Sequence, residues 1–262
     1  MFSERILVRT LWTGAGVLAF LSCSVKENRD KCPCTLSLEM DRLPALVTIL
    51  DKDSGEIVQR IVEESPSILK VSHGFLAISL GAMDAEGESP GEVFNSEGAL
   101  SILGGNDCPK VWLDHCPEVD TEGEYTQISS TLHRSFALLT VKIVKADGQW
   151  KPYDIEIEGE VNGYNMDTTP SDGKFKVLLT PDSEYTCRLS LPRQKDNSLL
   201  LHIKDEDASL RTFTLGEALH RNGYDWRAPD LSDIEIEINY QFSRINVVTD
   251  LWSDSFPLEI VV

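Results

Sequence analysis

Asp233-Ile234-Glu235-Ile236-Glu237-Ile238-Asn239-Tyr240 alternates polar and apolar residues without a break. Successive side chains of a strand point to opposite faces, so Ile234, Ile236 and Ile238 share a buried face while Glu235 and Glu237 face solvent. The same period of two recurs near the other end of the chain, where Leu36, Leu38 and Met40 alternate with Thr35, Ser37 and Glu39. Residues 46–50 and 57–62 read as a hairpin closed by Asp51-Lys52-Asp53-Ser54-Gly55, with Gly55 supplying positive φ. Asp51 and Asp53 faintly resemble a calcium loop, but Val62 stands where an EF-hand needs its bidentate glutamate. Residues 68–71 and 75–80 suggest a further strand pair bent at His73-Gly74. A long strand signal at 132–143 opens a second series, followed by 153–158, a turn at Asn162-Gly163, then 174–179, 184–191 and 199–203. Residues 245–248 and 258–262 are weaker strand signals. One short helix is expected, because Thr214 and Glu217 have capping-box spacing and Gly223 suits its C-terminal end. Strands recurring about every eight to twelve residues with one helix define an all-β chain of two sandwiches, 35–131 and 132–262. Residues 83–131 are the least readable part, with apolar islands only at 100–103 and 111–113.

The first residues indicate export. Arg5 and Arg9 precede an apolar run at 11–21 that is shorter than the roughly 20 residues a bilayer span needs, so residues 1–22 read as a signal peptide. Phe20-Leu21-Ser22-Cys23 resembles a lipobox, which would acylate Cys23 and make the lipid bilayer a partner, although Phe20 and Leu21 are bulkier than the commonest pattern. A plain signal peptide or signal anchor with an incidental cysteine is the alternative. Residues 23–34 then form a polar spacer. The whole chain carries a formal charge of −19. That sign disfavours nucleic acid, whose binding rests on Lys and Arg releasing counterions.

Five cysteines follow Cys23: Cys32, Cys34, Cys108, Cys116 and Cys187. An odd number outside the cytoplasm leaves at least one unpaired or bridging between molecules. Cys108 and Cys116 are the plausible disulfide, since a Cys32–Cys34 bridge would close a strained small ring. A zinc site from Cys108, His115 and Cys116 lacks a second ligand half, and no metal or cofactor is expected. The chain has no G-x-S-x-G elbow, H-E-x-x-H, Walker loop or G-x-G-x-x-G after a strand, and its five histidines lack metal spacing. A glycosidase pair needs no sequence motif, yet a solvated strand face explains Glu235 and Glu237 without catalysis. The expectation is a protein that is not an enzyme.

Several segments in order resemble the FimB-type fimbrial anchor lipoproteins, which sit at the base of type V pili. They are Cys23 with its spacer, Cys32-Pro33-Cys34, Leu132-His133-Arg134 before Phe136-Ala137, and Leu191-Pro192-Arg193-Gln194 with residues 199–201. Leu215-Gly216-Glu217, Gly223-Tyr224-Asp225-Trp226 and Asp230-Leu231-Ser232-Asp233-Ile234 complete the set. The resemblance implies two transthyretin-like sandwiches, an outer-membrane lipid anchor exposed at the cell surface, and pilin subunits as partners. It implies no catalytic residue. Leu258-Glu259-Ile260-Val261-Val262 has strand composition, so Leu258, Ile260 and Val262 would enter a partner's pockets if this segment pairs with it. The alternative is that it closes its own sandwich. The rival function is a surface glycan-binding lipoprotein, for which Trp150, Trp226 and Trp252 could form a stacking platform.

Overall fold

A computed structural model provides the structure, which describes residues 33–84, 89–144, 154–204, 210–239, 244–249 and 252–257. The first part of the chain forms β1 (Cys34–Met40), β2 (Ala45–Asp51), β3 (Ile57–Val62), β4 (Ser67–Val71), β5 (Phe75–Met83), helix α1 (Pro90–Val93), β6 (Leu100–Ser101), β7 (Val111–Asp120), β8 (Tyr125–Ser130) and β9 (His133–Arg134). Its sheets run β4-β1-β8 and β3-β2-β5-β7-β9. The second part forms β10 (Phe136–Val144), β11 (Asp154–Tyr164), β12 (Pro170–Leu179), β13 (Thr186–Pro192), β14 (Leu200–Lys204), β15 (Leu210–Phe213), helix α2 (Leu215–Arg221), β16 (Ile234–Asn239), β17 (Arg244–Thr249) and β18 (Trp252–Pro257). Here the sheets run β13-β10-β16-β17-β18 and β12-β11-β14-β15, with β6 added against β11. The fold is all-β, two sandwiches in tandem with α2 in the second.

The isoleucine alternation fixes β16 at the centre of its sheet. Ile234, Ile236 and Ile238 are at most 1% exposed, while Glu235 and Glu237 stay half-buried on the other face. Burying each isoleucine stabilises the fold by about 1.5–3 kcal/mol. β16 lies parallel to β10, whose Leu139 and Val141 are fully buried. The first sandwich uses the same device: β1 is antiparallel to β4 and parallel to β8, as β10 is antiparallel to β13 and parallel to β16. Each half therefore opens with a strand that ends up inside a sheet.

Three turn signals have different outcomes. Asp51 closes the β2–β3 hairpin by accepting the N–H groups of Asp53 (3.0 Å) and Ser54 (2.9 Å) and the Ser72 hydroxyl (2.6 Å), with Gly55 at φ +74°. The His73-Gly74 bend does not make a hairpin: β4 pairs with β1, and β5 with β2 and β7, so the chain arches from one sheet to the other. Thr121 pins that arch, its hydroxyl donating to the carbonyls of Ser72 and Gly74, both at 2.8 Å. Asn162-Gly163 is not a turn either. It lies inside β11, where the register against β12 shifts, and Gly163 lets β6 approach. A Cβ on Gly163 would lie 2.0 Å from the Leu100 carbonyl oxygen. The turn itself comes after β11, where Asn165 and Thr169 exchange a backbone hydrogen bond at 2.8 Å and Asp167 accepts the Thr169 N–H at 3.1 Å. Helix α2 forms where expected, although Thr214 makes no side-chain cap, and Gly223 takes φ +79° at its end.

Gly163→Ala should therefore destabilise the protein by about 3 kcal/mol, because the obstructing atoms are backbone and cannot rotate away. Gly104→Ala, which meets nothing within 4 Å, should stay within about 0.5 kcal/mol of wild type. Urea denaturation of both variants measures the difference, and equal midpoints would show that the β6–β11 contact is dispensable.

Candidate partner-binding surface

Four of the motifs that carry the resemblance, Leu132-His133-Arg134, Leu191-Pro192-Arg193-Gln194, Gly223-Tyr224-Asp225-Trp226 and Asp230-Leu231-Ser232-Asp233-Ile234, meet at one place, the passage between the sandwiches. β9 still belongs to the first, pairing with β7, and β10 begins the second, so the chain crosses at Ser135. The Ser135 carbonyl accepts from the Tyr164 hydroxyl, and that hydroxyl in turn accepts the Arg193 N–H at 2.8 Å. Tyr164 is 1% exposed, and burial pushes its hydroxyl pKa well above the ordinary value. The Arg193 guanidinium donates to four carbonyls: Trp226 (2.7 Å), Ala228 (2.6 Å), Pro229 (2.7 Å) and Arg134 (3.2 Å). Burial lowers its pKa, but a guanidinium stays charged in proteins and keeps all its donors. From the other side, Asp230 accepts the Arg134 N–H at 2.7 Å and faces His133 Nδ1 at 3.2 Å, while Asp233 pairs with the Arg134 side chain. Arg134 also lies over the Phe136 ring, and Phe136 meets Trp112 edge-on at 5.1 Å. These residues hold irregular backbone in place; the arrangement presents no nucleophile with an adjacent base.

Several residues singled out in the sequence lie elsewhere. Cys23, Leu258, Ile260 and Val262 are outside the described residues. Cys108 and Cys116 are free thiols, not a disulfide. Extended backbone explains why. Cys108 precedes β7, its N–H bound to the Ser190 carbonyl at 3.0 Å, whereas Cys116 lies well along β7 opposite Ile78. At about 3.3 Å per residue this exceeds the roughly 7 Å Cα separation a disulfide tolerates. Burial, and next to it Asp107, raises the Cys108 thiol pKa; burial and Asp114 do the same at Cys116, and Cys187 is pushed up to about 11. Such thiols are poor nucleophiles. Trp226 is 6% exposed and packed against Tyr224 at 4.7 Å, so it offers no open stacking face, and Trp150 is outside the described residues.

What the fold does offer is sheet edge. β3 and β4 are the edge strands of opposite sheets of the first sandwich, joined directly in sequence, and they expose Ile57 (36%), Val58 (37%), Ile61 (49%) and Ile68 (59%). Edge strands present unpaired backbone groups, and apolar side chains there favour a further strand. β18 is also an edge strand, and residues 258–262 continue directly from it. The sequence signal for these edges is the apolar composition of 57–62, which reads equally well as core.

Fold and surface together define a class, a tandem of β-sandwiches with open edges and a polar clamp at the crossing. No protein-family model matches the chain, and no curated protein matches it in sequence. Solved structures share the architecture. A candidate polysaccharide-binding protein from Bacteroides thetaiotaomicron is 14% identical, with a TM-score of 0.61 over 86% of this chain and 98% of its own. A candidate adhesin from Bacteroides ovatus is 12% identical, with a TM-score of 0.57 over 86% and 95%. The fimbrial anchor protein Mfa2 from Porphyromonas gingivalis is 14% identical, with a TM-score of 0.57 over 85% and 99%. At these identities the likeness establishes the fold.

Two predictions test the clamp. Arg193→Met leaves four carbonyls without their donor and should cost roughly 3–4 kcal/mol in urea denaturation, whereas Arg188→Ala, on an exposed ion pair with Asp182, should cost under about 0.5 kcal/mol. Asp230 has its pKa lowered from 3.8, chiefly by the Arg134 N–H and then by His133. Its stabilisation is therefore in place above 3.8 and lost as pH falls through the lower folded value. Asp230→Asn should shrink the drop in urea midpoint between about pH 6 and about pH 3. An undiminished drop would show that Asp230 carries none of it.

Proposed function

We propose that this chain is a lipid-anchored, non-enzymatic protein of the outer cell surface that holds the base of a fimbria. The observation that carries the reading is the backbone likeness to the fimbrial anchor Mfa2 through both sandwiches. Three further features support it: the lipobox-like Phe20-Leu21-Ser22-Cys23, the polar spacer behind it, and open sheet edges suited to strand pairing. In this reading Cys23 is the acylated N-terminus, and pilin subunits attach by main-chain pairing at the C-terminal end, where Leu258, Ile260 and Val262 alternate. The second reading, a surface glycan-binding lipoprotein, is favoured by the likeness to the Bacteroides thetaiotaomicron protein. Binding of the chain to a glycan array, with no pilin retained on cells, would favour it.

Cys23→Ala should move the protein from the membrane to the soluble fraction, since several acyl chains, at about 0.8 kcal/mol per buried CH₂, bind essentially irreversibly and none remain. Wild-type protein recovered unacylated and free of membrane would count against the anchor. Deleting residues 258–262 should release pilin from cells while the urea transition keeps its midpoint. Pili retained normally, or a collapsed fold, would remove the C-terminal segment as the attachment point.

A further inference from the structure

The second sandwich brings two carboxylates and an imidazole together on the outward face of the sheet β12-β11-β14-β15. Glu156 and Glu158 are two residues apart on β11 and so share a face; His202 on β14 is registered opposite Glu156, and Thr212 on β15 opposite His202. Their ligand atoms all lie within 4.8 Å of one another. An outward face should leave such groups wet, yet Glu156 is 8% and His202 9% exposed.

The imidazole is the telling group. Its Nδ1 is 2.9 Å from the Thr212 hydroxyl oxygen. Its Nε2 is buried and has no hydrogen-bond partner, standing 3.6 Å from Glu158 Oε2, which is beyond hydrogen-bond reach. With Nδ1–H donating to Thr212, the Nε2 lone pair points toward carboxylate oxygens, an arrangement of acceptors that a shared cation would satisfy. A cationic group already stands between the acids: Lys176 Nζ is 2.8 Å from Glu156 Oε1 and 3.7 Å from Glu158 Oε2, with Lys204 Nζ 3.6 Å from Glu156 Oε2. Neither ammonium hydrogen bonds to the imidazole, whose Nε2 is left without a partner among the described residues. The Lys176 and Lys204 side chains are 51% and 40% exposed, free to swing into water.

We propose that Glu156, Glu158 and His202 form a binding site for a divalent transition-metal ion, with Zn²⁺ the fitting species, that displaces Lys176 and staples β11 to β14. Zinc takes imidazole nitrogen at about 2.0–2.1 Å and carboxylate oxygen at about 2.0–2.2 Å, so modest side-chain rotation closes the triad around it. Calcium, which takes about six to eight oxygen ligands, does not match a donor set containing imidazole. Thr212 orients the ring from behind. The formal charge of −19 biases the whole surface toward cations. The site owes nothing to the fimbrial reading and stands or falls apart from it.

The test is calorimetric titration of ZnCl₂ into the EDTA-treated, dialysed Cys23→Ala chain, with CaCl₂ in parallel and melting temperature as a second readout. The expected result is one zinc per chain with a higher melting temperature, and no calcium response. Glu158→Gln and His202→Gln should each weaken zinc at least about tenfold, and Thr212→Val by about tenfold. Lys176→Met should tighten it, because the competing ammonium is gone. That exposed variant decides the matter even if His202→Gln fails to fold. No stoichiometric zinc binding, binding indifferent to Glu158→Gln, or binding not tightened by Lys176→Met would each overturn the proposal.

Discussion

Irregular backbone has no strand partner for its carbonyls, and Trp226, Ala228 and Pro229 find theirs in a single guanidinium. Arg193 satisfies Trp226, Ala228, Pro229 and Arg134 at once. Only arginine carries enough donors in a rigid planar fork for this; a lysine ammonium has three and no plane. Several other contacts depend on that placement. With 226–230 fixed, Asp230 meets the Arg134 N–H, Leu231 N–H reaches the Arg134 carbonyl at 3.1 Å, and the chain enters β16 in register with β10. A segment outside any strand or helix thus leads into the strand with the clearest alternation in register with β10.

The isoleucine alternation of β16 was plain in the sequence because one face is apolar and the other charged, which leaves period two as the only consistent reading. β7 was not, and the reason lies in its own residues. Val111-Trp112-Leu113 is followed by Asp114, His115, Cys116 and Pro117, and the pairing with β5 shifts register between Ile78 and Leu76, beyond Cys116, so the alternation is lost toward the bulge. β8, Tyr-Thr-Gln-Ile-Ser-Ser, is an edge strand and needs little apolar character. The Asn162-Gly163 signal misled for a different reason: glycine serves close approach as readily as it serves turns, and only the partner β6, some sixty residues away in sequence, distinguishes them. The clamp motifs were legible as a set of resemblances, but their physical role was not, because Arg193 and the carbonyls it serves are separated by more than thirty residues. The triad of Glu156, Glu158 and His202 shows the same limit: strand register assembles it, and no fixed spacing announces it.

The two sandwiches meet through more than the clamp. β6 leaves the first half to extend a sheet of the second, and the Cys108 N–H binds the Ser190 carbonyl at 3.0 Å. The loop after β11 comes back to the first half, where Met166 and Thr168 lie near Leu46 and Phe94. Buried side chains of both halves form one continuous apolar cluster. Domains joined by a bare linker move independently as the default. Here the crossing at Ser135 is bracketed by a hydrogen-bonded strand on each side, and relative motion would have to break β6 from β11 as well as the Arg193 contacts.

This construction has a mechanical consequence for the proposed anchor. If the N-terminal end is lipidated and a fimbria is attached at the C-terminal end, tension between them would enter the described chain at β1 and leave it at β18. β1 is held on both sides, antiparallel to β4 and parallel to β8, so a pull along its axis loads two ladders of hydrogen bonds together in shear. Among the described residues β18 is held on one side only, by β17 in an antiparallel hairpin, and a pull on its C-terminal end would open the ladder one pair at a time. Bonds that share a load resist more force than bonds that meet it singly. The C-terminal edge is therefore the compliant end, and a partner strand added along β18 would convert it from an edge to an interior strand. Attachment at that place would strengthen the very element through which the force arrives.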